Sequence, residues 1–204
     1  MAEQNGENRI SLQGQSAGEP VLSHRNHGVD YYIVPLLVPR LSGAEDRLNL
    51  VLAEPDRTLW QPGRWLRVEG EVRSYNNRSG VGSRLVITVL VRSAREADSE
   101  EGENRLTLAG VICKAPVRRR TPLGREICDL LLAVNRPYGR ADYLPCIAWG
   151  SLAALCGQKN VGDRLRLEGR LQSRQYRKLV DGVETIRTAY EISVMNLLPE
   201  EDQE

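Results

Sequence analysis

ICDLLLAVNRPYGRADYLPCIAWGSLAALCGQ, Ile127–Gln158, is the stretch whose reading decides the architecture. Leu130, Leu132 and Val134 alternate along one face, and a second alternating run covers Leu144–Trp149. Period-two patterning broken by turn residues predicts a pair of antiparallel strands. SLAALCGQ then predicts a short helix over Ser151–Gln158, with Ser151 as N-cap and Gly157 as terminator. Upstream, Leu106, Leu108 and Gly110 alternate in NRLTLAG. Downstream, Leu165, Leu167 and Leu171 do so in GDRLRLEGRLQS, and Thr188–Val194 predicts a last strand. Asp181-Gly182 marks a hairpin between these last two strands.

Five strands with a helix between the third and fourth is the order of an OB-fold, a small barrel whose strand face and loops bind oligonucleotides or sugars. The chain carries this pattern twice. NRISLQG (Asn8–Gly14) matches NRLTLAG (Asn104–Gly110) at a spacing that also relates Arg40 to Arg136 and Asp46 to Asp142, and GRWLRVEGEVRS (Gly63–Ser74) matches GDRLRLEGRLQS (Gly162–Ser173). The first copy places strands at Ile10–Gly14, Val34–Val38, Leu48–Ala53, Leu66–Val72 and Leu85–Val91, with room in EPDRTLWQPG for about one helical turn. Its second strand contains Pro35 and Pro39, each of which removes a ladder donor, so a bulge or an unpaired stretch is expected there. The expected organisation is all-β with tandem OB-folds: a flexible N-terminus at 1–7, a divergent first fold at 8–96, an acidic linker at 97–103, a second fold at 104–198 and a short acidic tail at 199–204.

The net charge of +1 conceals a segregation. Residues 8–96 hold 12 Arg against 9 acids, residues 104–198 hold 16 Lys and Arg against 8 acids, and ten acids lie outside both. Two basic bodies with acidic appendages suit a nucleic-acid binder. Basic residues are 25 Arg to 3 Lys, and Arg both forks onto phosphates and stacks on bases. Neither a long apolar run nor a signal-peptide core is visible, so a cytoplasmic, nucleoid-associated protein without a membrane role is expected. The four cysteines form no CxxC pair and read as buried small hydrophobes.

No phosphate-binding loop, HExxH or GxSxG motif occurs, and His24 and His27 sit in a Gly/Asn-rich loop without acidic or cysteine partners. Neither an enzyme nor a cofactor or metal site is expected. What remains is aromatics interleaved with arginines. Tyr138 follows Arg136-Pro137, Tyr143 opens the third strand, Trp149 closes it, and Tyr176 lies on the hairpin arm among Arg174, Arg177 and Lys178. Tyr190 reads as structural. In single-strand binders, aromatic faces stack bases while cations follow the backbone.

The ordered set LAVNR, DY…WG and GxxLxLEGRLQSRxY resembles the bacterial single-stranded DNA-binding protein family across nearly all of Asn104–Leu198. The resemblance implies base stacking on Tyr138, Tyr143, Trp149 and Tyr176. It places Arg118-Arg119-Arg120 in a loop flanking the groove, where phosphate contact is expected, together with Arg136, Arg174 and Lys178. It implies single-stranded DNA as ligand, little sequence preference, and a role in replication, recombination or repair. Two folds per chain imply a homodimer with four. The resemblance also implies replication and repair proteins as partners; the family's acidic tip, which docks them, ends in an apolar Pro-Phe, and this chain's PEEDQE is acidic but lacks that ending.

In the first copy the stacking positions become Ser42, Arg47 and Ala53, and only the hairpin position keeps an aromatic, Tyr75, beside Arg73. Arg40, Arg47, Arg78 and Arg84 remain. This copy either touches nucleic-acid backbone or serves in assembly. Trp65 should point outward, to another domain, another subunit or nucleic acid. Two other readings stand: the opening of the second fold also looks like primosomal replication protein N, an assembly protein acting through protein contacts, and an RNA-binding OB protein has the same composition.

Overall fold

The computed structural model describes residues 7–78, 83–180 and 183–199, and the side chains of Lys178 and Val180 lie outside that description. Its contacts divide the chain into two compact units: Met1–Asn8, Leu106–Leu171 and Tyr190–Glu204 form one, and Arg9–Arg105 with Gln172–Ala189 form the other.

In the first of these, strands β7 (Glu103–Arg120), β8 (Glu126–Arg136), β9 (Arg140–Trp149), β10 (Arg164–Val180) and β11 (Val183–Leu198) appear with helix α1 (Ser151–Cys156) between the third and fourth. Neighbours run β10-β11-β9-β8-β7, and β10 also pairs with β7, which closes the ring. β9 and β11 are parallel (Ile192 opposite Cys146), while β7–β8, β8–β9 and β10–β7 are antiparallel. This is a five-stranded OB barrel. Its interior is the alternating set read from the sequence: Leu106, Leu108, Leu132, Val134, Leu144, Leu167 and Ile192 are buried.

Closure needs the backbone to approach closely where side chains would intrude. A Cβ on Gly110 would sit 2.8 Å from the Ala133 carbonyl oxygen, and one on Gly169 would drive into that of Ser193. The repeated glycines therefore record barrel geometry rather than flexibility.

The second unit contains β1 (Asn8–Ser16), β2 (Val21–Asn26), β3 (Val29–Pro39), β4 (Glu45–Ala53), β5 (Trp65–Asn76) and β6 (Leu85–Glu96). The ring β1-β5-β6-β4-β3 closes through a β1–β3 pairing and again has a parallel pair, β4–β6. Its core is Ile10, Leu12, Leu36, Leu48, Leu50, Leu66, Val68 and Val89. Trp60, from the one-turn segment after β4, is also buried.

Several expectations are corrected. Pro35 and Pro39 interrupt nothing: β3–β4 runs unbroken from Tyr31–Ala53 to Pro39–Glu45, and the irregularity falls at Leu22/His24 in β2. The Pro35 carbonyl accepts from Ala17 N at 2.9 Å, so this residue's polar edge faces away from β4 and the missing N–H costs that ladder nothing. β2 itself is an added strand, and its six residues are exposed. Residues 118–120 are not in a loop. They extend β7, whose register slips at Ile112/Lys114 and Lys114/Val117 before continuing as Arg118–Cys128 to Arg120–Glu126. His24 is likewise on β2 and not in a loop.

Helix α1 has Gly150 as N-cap, not Ser151, with a backbone φ of 58° that suits glycine. Cys113 is exposed, unlike the other three cysteines. The segment Ala97–Glu103 is held against its unit: Gln13 Nε2 donates to the Ser99 and Glu101 carbonyls at 3.1 and 2.9 Å, and Ser11 donates to the Glu103 carboxylate. The Asp181-Gly182 turn, the 79–82 part of the equivalent turn, the N-terminus before Glu7 and the tail from Glu200 lie outside the described residues.

Candidate nucleic-acid interface

Alternation on β9 sorts its side chains. Asp142, Leu144, Cys146 and Ala148 point inward and are buried, so Tyr143 and Trp149 share the outer face. Tyr143 is 47% exposed opposite Ala133, and Trp149 is 37% exposed opposite Ile127. Six residues of strand separate them by about 20 Å. Tyr138 lies in the β8–β9 turn and is 93% exposed. It adopts φ 66°, a left-handed conformation that turns the chain tightly between Arg136 and Arg140, with Gly139 sharing it. These three aromatics stand on one unit of the structure.

The arginines beside them have acidic neighbours. Arg118 and Arg120 share Glu126 at 3.5 and 3.3 Å, and Arg119 binds both carboxylate oxygens of Asp129 at 2.6 and 3.2 Å. Three half-exposed or exposed guanidinium groups thus share Glu126 and Asp129, and the Glu191 charge also acts on Arg119. The stem of Arg118 lies over Gly157, where a Cβ would collide with it. Arg136 pairs at 3.0 Å with Asp142, which is fully buried. That contact braces the β8–β9 hairpin and holds most of the guanidinium out of solvent.

Tyr176 and Arg174 lie on the part of β10 that belongs to the other unit, with the Arg174 guanidinium 5.9 Å from the Tyr176 ring centroid. Arg177 pairs with Glu184 across the arm at 3.4 Å. The Lys178 side chain is outside the described residues. Tyr75 ends β5 and is exposed, whereas Arg73 is mostly buried in an ion pair with Glu71. Burial pushes the Glu71 carboxyl up, but the Arg92 hydrogen bond and the charges of Arg73 and Arg92 outweigh it, so its pKa is lowered.

Sequence comparison missed an aromatic pair in the first copy. His24 stacks on Tyr31 with centroids 5.1 Å apart and planes 5° from parallel, and Arg57 lies 5.6 Å over Tyr32. Tyr31 stands opposite Ala53, just as Ile127 stands opposite Trp149. The large ring has moved to the neighbouring strand on the same face. Position-by-position alignment passes over such a swap, and only cross-strand reading finds it.

Burial raises the pKa of Cys146, and that of Cys156 to about 11.

The closed five-stranded barrel is an OB-fold, and it carries exposed rings on its third strand and its second turn. Residues 103–198, nearly the whole of the second fold, match the model of the single-strand binding protein family. Curated relatives include the single-stranded DNA-binding protein of Halalkalibacterium halodurans, 32% identical over 80 residues, covering 36% of this chain and 48% of the relative. Single-stranded DNA-binding protein A of Bacillus subtilis is 34% identical over 85 residues, covering 36% and 46%. The chain thus spans about half the length of the curated relatives it matches. Among solved structures, the wild-type single-stranded DNA binding protein from Thermus aquaticus superposes with a TM-score of 0.78 at 20% identity, covering 98% of this chain and 96% of that one. A deletion mutant of the same protein gives 0.77 at 22%, covering 99% and 98%. These two show the fold, now across both copies.

Proposed function

We propose that this protein binds single-stranded DNA with little sequence preference and catalyses nothing. The observation that carries the reading is the trio of exposed rings, Tyr138, Tyr143 and Trp149, on the outer face and turn of the domain that matches the single-strand binding family. Bases stack on these rings, and the Arg118–Arg120 edge follows phosphates. Every base has a π-face, so stacking of this kind tolerates any sequence, and guanidinium–phosphate contacts make affinity fall with salt.

Tyr176 with Arg174, and Tyr75, serve as further stacking positions on the other unit. His24, Tyr31 and Arg47 give the first copy a reduced version of the same surface. Two barrels per chain suit a homodimer, and sedimentation equilibrium tests that. Service in replication, recombination or repair follows from the ligand.

Titration of the full chain with oligo(dT), read by tryptophan fluorescence, is the deciding experiment. Quenching with a steep salt dependence is the expected result, and saturable binding should be lost on joint replacement of Tyr138, Tyr143 and Trp149 by Ala, followed by anisotropy of labelled DNA. Unchanged affinity in that triple variant would refute the proposal. Displacement by poly-U as readily as by poly-dT would shift the ligand to RNA.

A further inference from the structure

Two matched ion pairs have different surroundings. Arg136–Asp142 and Arg40–Asp46 occupy equivalent positions in the repeat, and each carboxylate is buried, Asp46 at 1% exposure. A buried carboxylate must have its lone pairs satisfied. Arg40 Nε donates to Asp46 Oδ2 at 2.7 Å, and its terminal nitrogen donates to Oδ1. The remaining capacity goes to the arm. Within the unit formed by Arg9–Arg105 and Gln172–Ala189, the Ser173 backbone N–H donates to Asp46 Oδ1 at 2.6 Å and its hydroxyl donates at 3.3 Å. Arg40 also donates to the Ser173 carbonyl at 3.1 Å, and the Arg47 backbone N–H donates to Ser173 Oγ at 3.1 Å. The backbone N–H, carbonyl and hydroxyl of Ser173 are all taken by Arg40, Asp46 and Arg47.

The geometry points to Arg40–Asp46 as a positioning pair that seats the 172–189 arm for single-stranded DNA. This rests on the reading of Tyr176 as a base contact. Ser173 is the root of the arm, and the Arg174–Tyr176 pair follows it directly. A two-stranded ribbon alone is marginal in water. Pinned at its root by charge-assisted hydrogen bonds, it meets DNA already ordered, and less freedom is lost on binding. The first copy then contributes to binding through a buried carboxylate that never touches the ligand, and Arg40 is committed to the arm instead of to phosphate.

The test uses the full chain carrying Asp46→Asn or Ser173→Ala, each with and without Tyr176→Ala. Ser173→Ala removes only the hydroxyl and keeps the Arg40–Asp46 pair, so it reports even where Asp46→Asn fails to fold. Amide exchange in the arm and oligo(dT) affinity are measured together. Both variants should speed exchange over 172–189 and weaken binding roughly tenfold, the worth of about one charge-assisted hydrogen bond. That loss should vanish in the Tyr176→Ala background. Wild-type protection of the arm, or the same loss with Tyr176 already removed, would overturn the proposal. If Tyr176→Ala alone bound as the wild type does, the base-contact reading would fall instead, while faster arm exchange in Ser173→Ala would still uphold the seat.

Discussion

Replacing Tyr143 by Ala separates stacking from folding. Its ring stands on the outer face of β9, and its chain neighbours Asp142 and Leu144 keep their inward places, so no core cavity opens. The structural cost should stay within the roughly 1 kcal/mol that separates strand formers. A lost base stack costs about 1–3 kcal/mol, which is about 5- to 150-fold in Kd. Trp149 shares that face and serves as reporter, while buried Trp60 and half-buried Trp65 contribute the rest of the signal.

The measurement is a fluorescence titration with oligo(dT) at several salt concentrations, with a melting curve alongside. Tyr143→Ala should lower affinity by the same factor at every salt concentration. Arg119→Ala should instead flatten the salt dependence by about 0.7 in the slope of log K against log salt, the share of one phosphate on a single strand. A Tyr143→Ala protein that melts like the wild type and binds within about twofold of it would refute the reasoning, because a factor that small is below one stack.

Gly169→Ala should destabilise by at least about 2 kcal/mol in urea unfolding, since the new methyl meets the Ser193 carbonyl oxygen and backbone cannot swing aside; an unchanged midpoint would contradict the barrel-closure argument. Asp142→Ala should cost roughly 3–5 kcal/mol, because it strands the Arg136 guanidinium beside a dry interior; a loss under about 1 kcal/mol would show that the pair is not a brace. The folded Glu71 pKa lies below its ordinary 4.5. Its contribution is therefore complete above that value and fades as pH falls through the folded pKa. Glu71→Gln should be less stable than the wild type at pH near 7, with the gap narrowing as pH falls below 4.5; a gap that stays constant on acidification would refute the linkage.

Much of this was legible in one dimension because barrels are written in local alternation. Leu130, Leu132 and Val134 must share a face whatever else the chain does, and repeating the pattern one domain earlier identifies the same fold twice. The glycines were legible as repeated positions, but their reason was not: what excludes a Cβ at Gly169 is an oxygen on a strand 24 residues away. Tyr138 and Tyr143 announced themselves by position in a turn and on an outer strand face. The Arg118–Arg120 run announced itself by charge but not by place, since the register slip that carries it into β7 depends on pairing with β8.

The sequence by itself determined the five barrel strands of each copy, their inward and outward faces, the duplication and the aromatic set of the second copy, because these follow from side-chain period and turn chemistry within a few residues. Tertiary structure alone decided which groups share a partner. It set His24 on Tyr31, gave Arg136 to Asp142, and brought Ser173 to Asp46 across 127 residues of chain. The physical reason is that a buried charge takes whichever donor the fold brings to it, and that donor's distance along the chain leaves no local trace.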